Sequence, residues 1–191
     1  MTNSALLDPR ASQKEAPPKF AVRLETTQGD IYIDVDRALA PLGADRFHQL
    51  VGLGFYDDVA FFRVVANFVV QVGLNGDPEV NRVWREARFP DDPVRASNDA
   101  GTVTFATSGP ASRTTQFFIN LKNNARLDAM GFSPFGRVRD LSVVSKLYAG
   151  YGEGAPSGQG PQQGRIQREG NAYLRAEFPK LDYIKQAKIV R

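Results

Sequence analysis

The chain has 191 residues, of which 42% are hydrophobic, and it carries a formal charge of +3, no cysteine and a single histidine, His48. This length and apolar content are typical of one globular domain with a buried core. The absence of cysteine excludes disulfides and thiolate chemistry, and one histidine cannot form the usual zinc-binding cluster. The modest charge favours a solvated surface over a nucleic-acid-binding patch. We therefore expect no metal, no other cofactor and no nucleic-acid partner.

The sequence also bears on targeting. It contains no apolar run long enough to span a bilayer, and residues 1–18 lack the basic start and hydrophobic segment of a signal peptide. We expect no membrane insertion. The compartment stays open between two alternatives, cytoplasmic for the chain as written or exported if a signal peptide has been removed.

The first part of the chain predicts a tail followed by a hairpin. Residues 1–19 are polar and proline-containing, so we expect a flexible N-terminal lead-in, with residues 20–191 forming a single domain. Apolar residues alternate over residues 20–27 and again over 31–36, which predicts two paired strands with one buried face.

Helical periodicity occurs in several shorter stretches. Residues 40–53 have an apolar stripe at helical spacing with a proline in the first turn, which predicts a helix. We expect a short helix over 79–87, a second main helix over 141–148 and a helical turn over 171–178. Residues 149–165 are rich in glycine and proline without a phosphate-binding motif, which predicts a flexible loop. Because loop length costs little free energy, we expect that this loop can be shortened without loss of activity.

Two stretches have the composition of strands and carry unusual polar residues. Residues 61–73, FFRVVANFVVQVG, place one charged side chain, Arg63, in an otherwise apolar run. Residues 105–120, FATSGPASRTTQFFIN, combine a Ser-Gly-Pro turn with a strand entered through Gln116. Taken singly, Arg63 reads as an exposed strand arginine and the aromatic residues as ordinary core.

Read together, these stretches resemble the two signature segments of the cyclophilin family of peptidyl-prolyl isomerases. The resemblance covers roughly residues 20–147. Identical residue types stand in the family's order at the following positions: Phe61, Arg63, Phe68, Gln71, Gly73, Ala106, Gly109, Pro110, Gln116, Phe117, Phe118, Ile119, Leu127, Asp128, Phe135, Gly136 and Val138.

The resemblance implies a mainly β fold, a closed antiparallel eight-stranded barrel with two capping helices. It also implies an enzyme that accelerates rotation about X-Pro peptide bonds and assists protein folding. The expected partners are proline-containing peptides or unfolded proteins, and we expect a monomer. Two alternatives stay open: a proline-peptide binding module or chaperone with little catalytic activity, and a small-molecule carrier barrel.

The chemistry needs no nucleophile, because the barrier to rotation, about 18–20 kcal/mol, comes from amide resonance. A permanently charged donor can favour the twisted amide by hydrogen-bonding the proline nitrogen, and Arg63 fits that catalytic role. The resemblance implies substrate-binding roles for nine further residues, which are Phe68, Val69, Gln71, Ala106, Thr107, Gln116, Phe118, Leu127 and Phe132.

Three positions depart from the family pattern. Thr107 stands where an asparagine is usual, and Arg126 stands where many members have a tryptophan at the pocket edge. The stretch after Asp128 is one residue longer, so Phe132 is only the nearest counterpart of the usual pocket histidine. Because Arg126 offers no indole N–H, we expect weak inhibition by cyclosporin.

Overall fold

The predicted hairpin forms at the start of the domain. In the computed structural model of the chain, which describes residues 3–190, β1 (Lys19–Thr26) pairs antiparallel with β2 (Gly29–Asp36). Their alternation is of the half-buried kind, since Val22, Leu24 and Ile33 are fully buried while their neighbours are more exposed. This pair forms the middle of a larger sheet.

Seven further strands complete that sheet. They are β3 (Val59–Ala60), β4 (Arg63–Val65), β5 (Val69–Val72), β6 (Thr102–Phe105), β7 (Phe117–Asn120), β8 (Pro134–Val138) and β9 (Tyr183–Val190). The order is β3-β9-β1-β2-β8-β6-β7-β5-β4, and the pairings within the sheet are antiparallel. The mainly β, antiparallel prediction is confirmed, although residues 3–190 contain nine strands rather than eight.

The sheet curls strongly, as its connectivity shows. β3 and β4 lie at opposite ends of the strand order, yet only Phe61 and Phe62 separate them in the chain. The three residue steps from Ala60 to Arg63 span at most about 11 Å. The two edges of the sheet must therefore approach each other.

Two α-helices occupy predicted positions, and a third begins earlier in the chain than predicted. The first, α1 (Pro41–Gly52), is confirmed, and α2 (Pro78–Trp84) is slightly shorter than predicted. The third, α3 (Gln163–Glu177), contains a break in helical geometry at Gly170 and begins inside the stretch expected to be a loop. No helix within residues 3–190 is long and apolar enough to cross a membrane.

The predicted second capping helix over 141–148 is wrong. Only a short 3-10 segment, Val144–Lys146, forms there. The apolar spacing reflects real burial, because Val144 and Leu147 are 1% and 4% exposed. The helix cannot extend, because the backbone N–H of Tyr148 donates to the Asp182 carboxylate at 2.7 Å instead of to a helical carbonyl.

The interior of the curled sheet is filled with aromatic side chains. Phe47 of α1 meets Phe117 edge to face at a centroid distance of 5.3 Å and lies 5.0 Å from Phe135. Phe105 lies 5.1 Å from Phe135, and all four rings are at most 1% exposed. These rings fill the space in which a carrier barrel would hold its ligand, which argues against the carrier hypothesis.

The N-terminal segment contacts the domain over much of its described length. The indole N–H of Trp84 donates to the Leu6 carbonyl at 2.7 Å, and the backbone N–H of Ala16 donates to Asp45 at 2.8 Å. Gln49 of α1 donates to two further carbonyls, those of Pro9 and Ala11. From residue 3 onward, the expected flexible lead-in is thus bonded to α1 and α2; residues 1–2 lie outside the described residues.

Candidate active site

A cavity of about 530 Å³ gathers nine of the ten residues that the sequence singled out. The tenth, Gln116, lines a neighbouring cavity of about 570 Å³ that shares Gln71, Ala106 and Thr107 with this one, and it accepts a hydrogen bond from Gln71. The nine are Arg63, Phe68, Val69, Gln71, Ala106, Thr107, Phe118, Leu127 and Phe132. Residues that are up to 69 positions apart in sequence therefore share one surface of the molecule.

An apolar patch forms the floor of this cavity. Val69, Phe118 and Leu127 are 2%, 5% and 6% exposed and make a small cluster separate from the main core. Phe132 packs edge to face on Phe118 at a centroid distance of 5.6 Å. The patch offers a ring-sized apolar surface that remains accessible from the cavity.

Strand register places Arg63 beside this patch. Arg63 of β4 lies opposite Gln71 of β5, and Gln71 lies opposite Phe118 of β7. Directly opposed residues in antiparallel strands have side chains on the same face. The cationic residue, the amide and the aromatic ring are therefore fixed in one row across three strands.

Hydrogen bonds continue the row through the glutamines. The Arg63 Nη1 donates to Gln71 Oε1 at 2.8 Å, and Gln71 Nε2 donates to Gln116 Oε1 at 2.9 Å. The Phe68 ring centroid lies 5.6 Å from the guanidinium carbon of Arg63, within cation–π range. The amide of Gln71 is thereby oriented with its oxygen toward the guanidinium.

Comparison with known proteins settles the family. The family described as "Cyclophilin type peptidyl-prolyl cis-trans isomerase/CLD" matches residues 21–168. The chain belongs to this family. It is accordingly an enzyme, a peptidyl-prolyl cis-trans isomerase of the cyclophilin type, and the sequence prediction is confirmed.

Named relatives of this cyclophilin include bacterial and fungal proteins. Peptidyl-prolyl cis-trans isomerase cyp18 of Streptomyces antibioticus is 33% identical over 150 residues, which cover 72% of this chain and 87% of the relative. A peptidyl-prolyl cis-trans isomerase of Acinetobacter baylyi is 34% identical over 135 residues, covering 66% and 70%. The isomerase-like 1 protein of Rhizopus delemar is 34% identical over 134 residues, covering 66% and 78%.

Solved structures agree on the fold. A cyclophilin type peptidyl-prolyl cis-trans isomerase of Cryptosporidium parvum superposes with a TM-score of 0.67 at 20% identity, covering 91% of this chain and 98% of that one. A second crystal structure of that protein, obtained in the presence of the dipeptide Ala-Pro, superposes with a TM-score of 0.65 at 20% identity, covering 90% and 99%. At this identity the likeness establishes the cyclophilin fold.

The loop between β7 and β8 brings Leu127 and Phe132 to the cavity. Asp128, within the 3-10 segment Ala125–Met130, accepts hydrogen bonds from Ser97 Oγ at 2.6 Å and from the Asn98 backbone at 2.9 Å. Burial raises the pKa of Asp128, but these hydrogen bonds outweigh it and hold the pKa below its usual value. Asn98 also donates to the Phe132 carbonyl at 3.0 Å, so one polar anchor fixes both pocket residues.

Two of the three departures from the family pattern lie where the sequence placed them. Arg126 lines the cavity, with its guanidinium carbon 5.1 Å from the Phe68 centroid. Thr107 lines it too, with its hydroxyl bonded to Gly109 and, at 2.7 Å, to Ser112. The Thr107 side chain is thus engaged within its own turn.

Three lining residues were missed from the sequence: Met130, Glu153 and Gln163. Met130 is 63% exposed and lies at the rim. Glu153 and Gln163 come from the stretch that we expected to be a flexible loop. The one available signal was that Glu153 is the only acidic residue in 149–165.

Glu153 binds the catalytic candidate directly. Its carboxylate accepts from Arg63 Nε and from Arg63 Nη2, both at 2.7 Å. These hydrogen bonds lower the pKa of Glu153, against a smaller opposing effect of burial. Within residues 3–190, no three histidine, cysteine, aspartate or glutamate side chains come together as metal ligands.

Proposed function

We propose that the enzyme acts through Arg63, with the proline ring of the substrate held against the apolar patch. The observation that carries this proposal is the shared cavity: a fixed cation and a ring-sized apolar surface line the same 530 Å³ space. Apolar burial grips the ring, and a directed donor can act on the nitrogen of that same ring.

The mechanism requires selective binding of the twisted amide. As the X-Pro bond rotates, its nitrogen loses conjugation and becomes a better hydrogen-bond acceptor. A guanidinium has five N–H groups. Hydrogen bonds to Gln71 and Glu153 use three of them, which leaves two for the substrate. A bond that strengthens only in the transition state raises the turnover rate instead of merely tightening binding.

The remaining residues bind and orient. We assign the proline ring to Val69, Phe118, Leu127 and Phe132, with Phe68 between the two arginines at the edge. Gln71 and Gln116 orient the guanidinium and contact the peptide, and Ala106 and Thr107 offer backbone groups to it.

The substrate class and the assembly are also proposals. We propose that the substrates are exposed proline-containing segments of unfolded or flexible chains; a relative of the same fold was crystallised in the presence of Ala-Pro. We propose that the protein acts as a monomer, with residues 20–191 as one domain. Its curled sheet would close into a barrel, since two residues join its edge strands.

Arg63→Ala tests the proposed role. Turnover of an X-Pro tetrapeptide should fall by about a hundredfold or more, as for the loss of other transition-state donors. Peptide affinity should change by only a few-fold, and the fold should persist. The measurements are an NMR exchange assay, a peptide titration and a thermal scan.

Arg139→Ala is the matched control, because Arg139 also pairs with a carboxylate, Asp34 at 2.9 Å, but lies outside the cavity. It should turn over normally. A folded Arg63→Ala protein with an undiminished rate would remove Arg63 from the mechanism and favour the binding-module interpretation.

A further inference from the structure

The Arg63–Glu153 pair is more specific than an ordinary surface ion pair. Both carboxylate oxygens meet the Nε and Nη2 edge of the guanidinium at 2.7 Å, while Gln71 takes the Nη1 end at 2.8 Å. The Arg63 side chain is 19% exposed and that of Glu153 is 40% exposed. Two parallel charge-assisted bonds define the plane of a guanidinium as well as its position.

The segment that carries Glu153 is folded on itself. The Glu153 carbonyl accepts from the Gly160 N–H at 2.8 Å, and the Ala155 N–H donates to the Gly160 carbonyl at 3.1 Å. The Gly158 N–H donates to the Gly154 carbonyl at 3.0 Å. Residues 153–160 therefore form a closed loop whose ends are held together beside β4.

Two positions in this loop have no room for a side chain, which is why they are glycine. A Cβ at Gly158 would overlap the Glu153 carbonyl oxygen and lie 2.8 Å from the Glu153 Cβ. A Cβ at Gly160 would lie 2.9 Å from the same carbonyl oxygen. The glycine content thus permits close packing around Glu153, which explains it better than flexibility does.

We propose that Glu153 is a positioning residue for catalysis, which orients Arg63 so that its remaining N–H groups face the apolar patch. This inference rests on the proposed role of Arg63. Gln71 holds the guanidinium at one end only, so without Glu153 the group can turn about its last side-chain bonds. A small error in the direction of a catalytic donor is costly in rate.

If Glu153 had a purely structural role, its loss would lower the thermal midpoint. Because the Glu153 side chain is 40% exposed, water and salt screen this pair, and we expect it to contribute little to stability. Removing it should therefore leave the thermal midpoint nearly unchanged. An effect on turnover without an effect on stability identifies positioning.

Glu153→Gln is the direct test, since it keeps the shape and removes the charge. We expect kcat toward an X-Pro tetrapeptide to fall by about tenfold, the size often seen when a partner that orients a functional group is lost. KM should change by less than about twofold, because Glu153 acts through Arg63. Both constants are measured in the wild type and the variant under the same conditions.

Glu169→Gln is the matched control. Glu169 also grips an arginine through two bonds, from Arg165 Nε and Nη2 at 2.9 Å each, and its side chain is 42% exposed. It belongs to α3 and lines no part of the cavity. Its loss should leave kcat and KM at wild-type values.

NMR of the arginine side chains provides an independent readout. A guanidinium held by a bidentate carboxylate exchanges its Nε proton slowly and rotates slowly about its C–N bonds. The Arg63 Nε–H signal, assigned by its absence in Arg63→Lys, should therefore be visible in the wild type and broadened or lost in Glu153→Gln. It should persist in Glu169→Gln.

The outcomes separate the two proposals. A tenfold loss of kcat with the altered Arg63 signal supports the inference. Normal or faster turnover of Glu153→Gln overturns it, and faster turnover would mean that the carboxylate restrains Arg63. A rise confined to KM would also overturn it, by placing Glu153 against the substrate. If Arg63→Ala is itself fully active, the proposed function fails first.

Discussion

The two walls of the proposed active site are held in place by different contacts. The strand wall, which carries Arg63, Gln71 and Phe118, is fixed by backbone hydrogen bonds between β4, β5 and β7. The loop wall, which carries Leu127 and Glu153, is fixed by backbone hydrogen bonds within its loops and by two carboxylates, those of Asp128 and Glu153. Backbone hydrogen bonds along three paired strands thus hold the strand wall, whereas the contacts that hold the loop wall include single carboxylates.

This difference predicts that removing a buried strand-wall side chain costs stability, whereas removing an exposed loop-wall side chain leaves stability nearly unchanged. Strand-wall side chains pack where the sheet leaves no freedom to relax. On the loop wall, Glu153 and Met130 are 40% and 63% exposed, so their side chains move at little cost. Substitutions on the two walls should therefore separate in thermal midpoint.

The largest expected effect is that of Phe118→Ala. Phe118 is 5% exposed and packs on Phe132, so its loss should destabilise the fold by about 3 kcal/mol, the low end for buried phenylalanine because the ring borders an open cavity. The thermal midpoint should fall by about 6–12 °C. Peptide affinity should fall with it, since the same ring forms the pocket floor.

Met130→Ala is the loop-wall counterpart. Met130 lines the same cavity but is 63% exposed, so its truncation should change the free energy of unfolding by less than about 0.5 kcal/mol. Denaturant unfolding of both variants makes the comparison. Equal destabilisation by the two substitutions would contradict the distinction between the walls.

The strand wall was largely predictable from sequence, and the reason is local periodicity. Alternation placed the strands of the first hairpin within two residues, and the residues of 61–73 and 105–120 matched a family pattern. The roles of Gln71 and Gln116 came from that resemblance, because nothing in their own spacing reveals that they bond to each other. The structure added the register that aligns Arg63, Gln71 and Phe118.

The loop wall was predictable only in part: the resemblance supplied Leu127, but Glu153 was missed because its contact with Arg63 is non-local. Glu153 lies 90 residues from Arg63 in the chain, and no periodic pattern connects them. Glycine and proline composition suggested flexibility, but it equally serves close packing, as Gly158 shows. The same composition gave no sign that α3 begins at Gln163. The helix predicted over 141–148 does not form in full, because the backbone N–H of Tyr148 donates to the Asp182 carboxylate instead.

Replacing residues 153–160 with a short Gly-Ser linker tests the loop wall as a unit. The sequence alone suggested no loss of activity, but the contact between Glu153 and Arg63 reverses that expectation. Turnover of a tetrapeptide should fall by about tenfold, while the fold persists because a loop-length change costs only about 0.6 kcal/mol per doubling.

The comparison with Glu153→Gln sharpens this result. If the loop serves mainly to present one carboxylate, the linker variant and Glu153→Gln should lose the same rate, and combining linker replacement with Arg63→Ala should cost nothing beyond Arg63→Ala alone. A linker variant as active as the wild type would restore the view of this segment as a spacer.

The smallest expected effect concerns Arg126, at the rim where the two walls meet. Its guanidinium covers the Phe68 ring, where many cyclophilins offer an indole N–H to cyclosporin. We expect weak inhibition of the natural protein, and Arg126→Trp should tighten it by about two- to tenfold, the worth of one net hydrogen bond. Arg126→Ala removes the guanidinium without adding an indole. It therefore distinguishes the effect of a new indole N–H donor from the effect of removing the guanidinium. Inhibition constants for the three proteins decide the matter: tight, nanomolar inhibition of the unaltered chain would show that the rim position does not govern drug binding here.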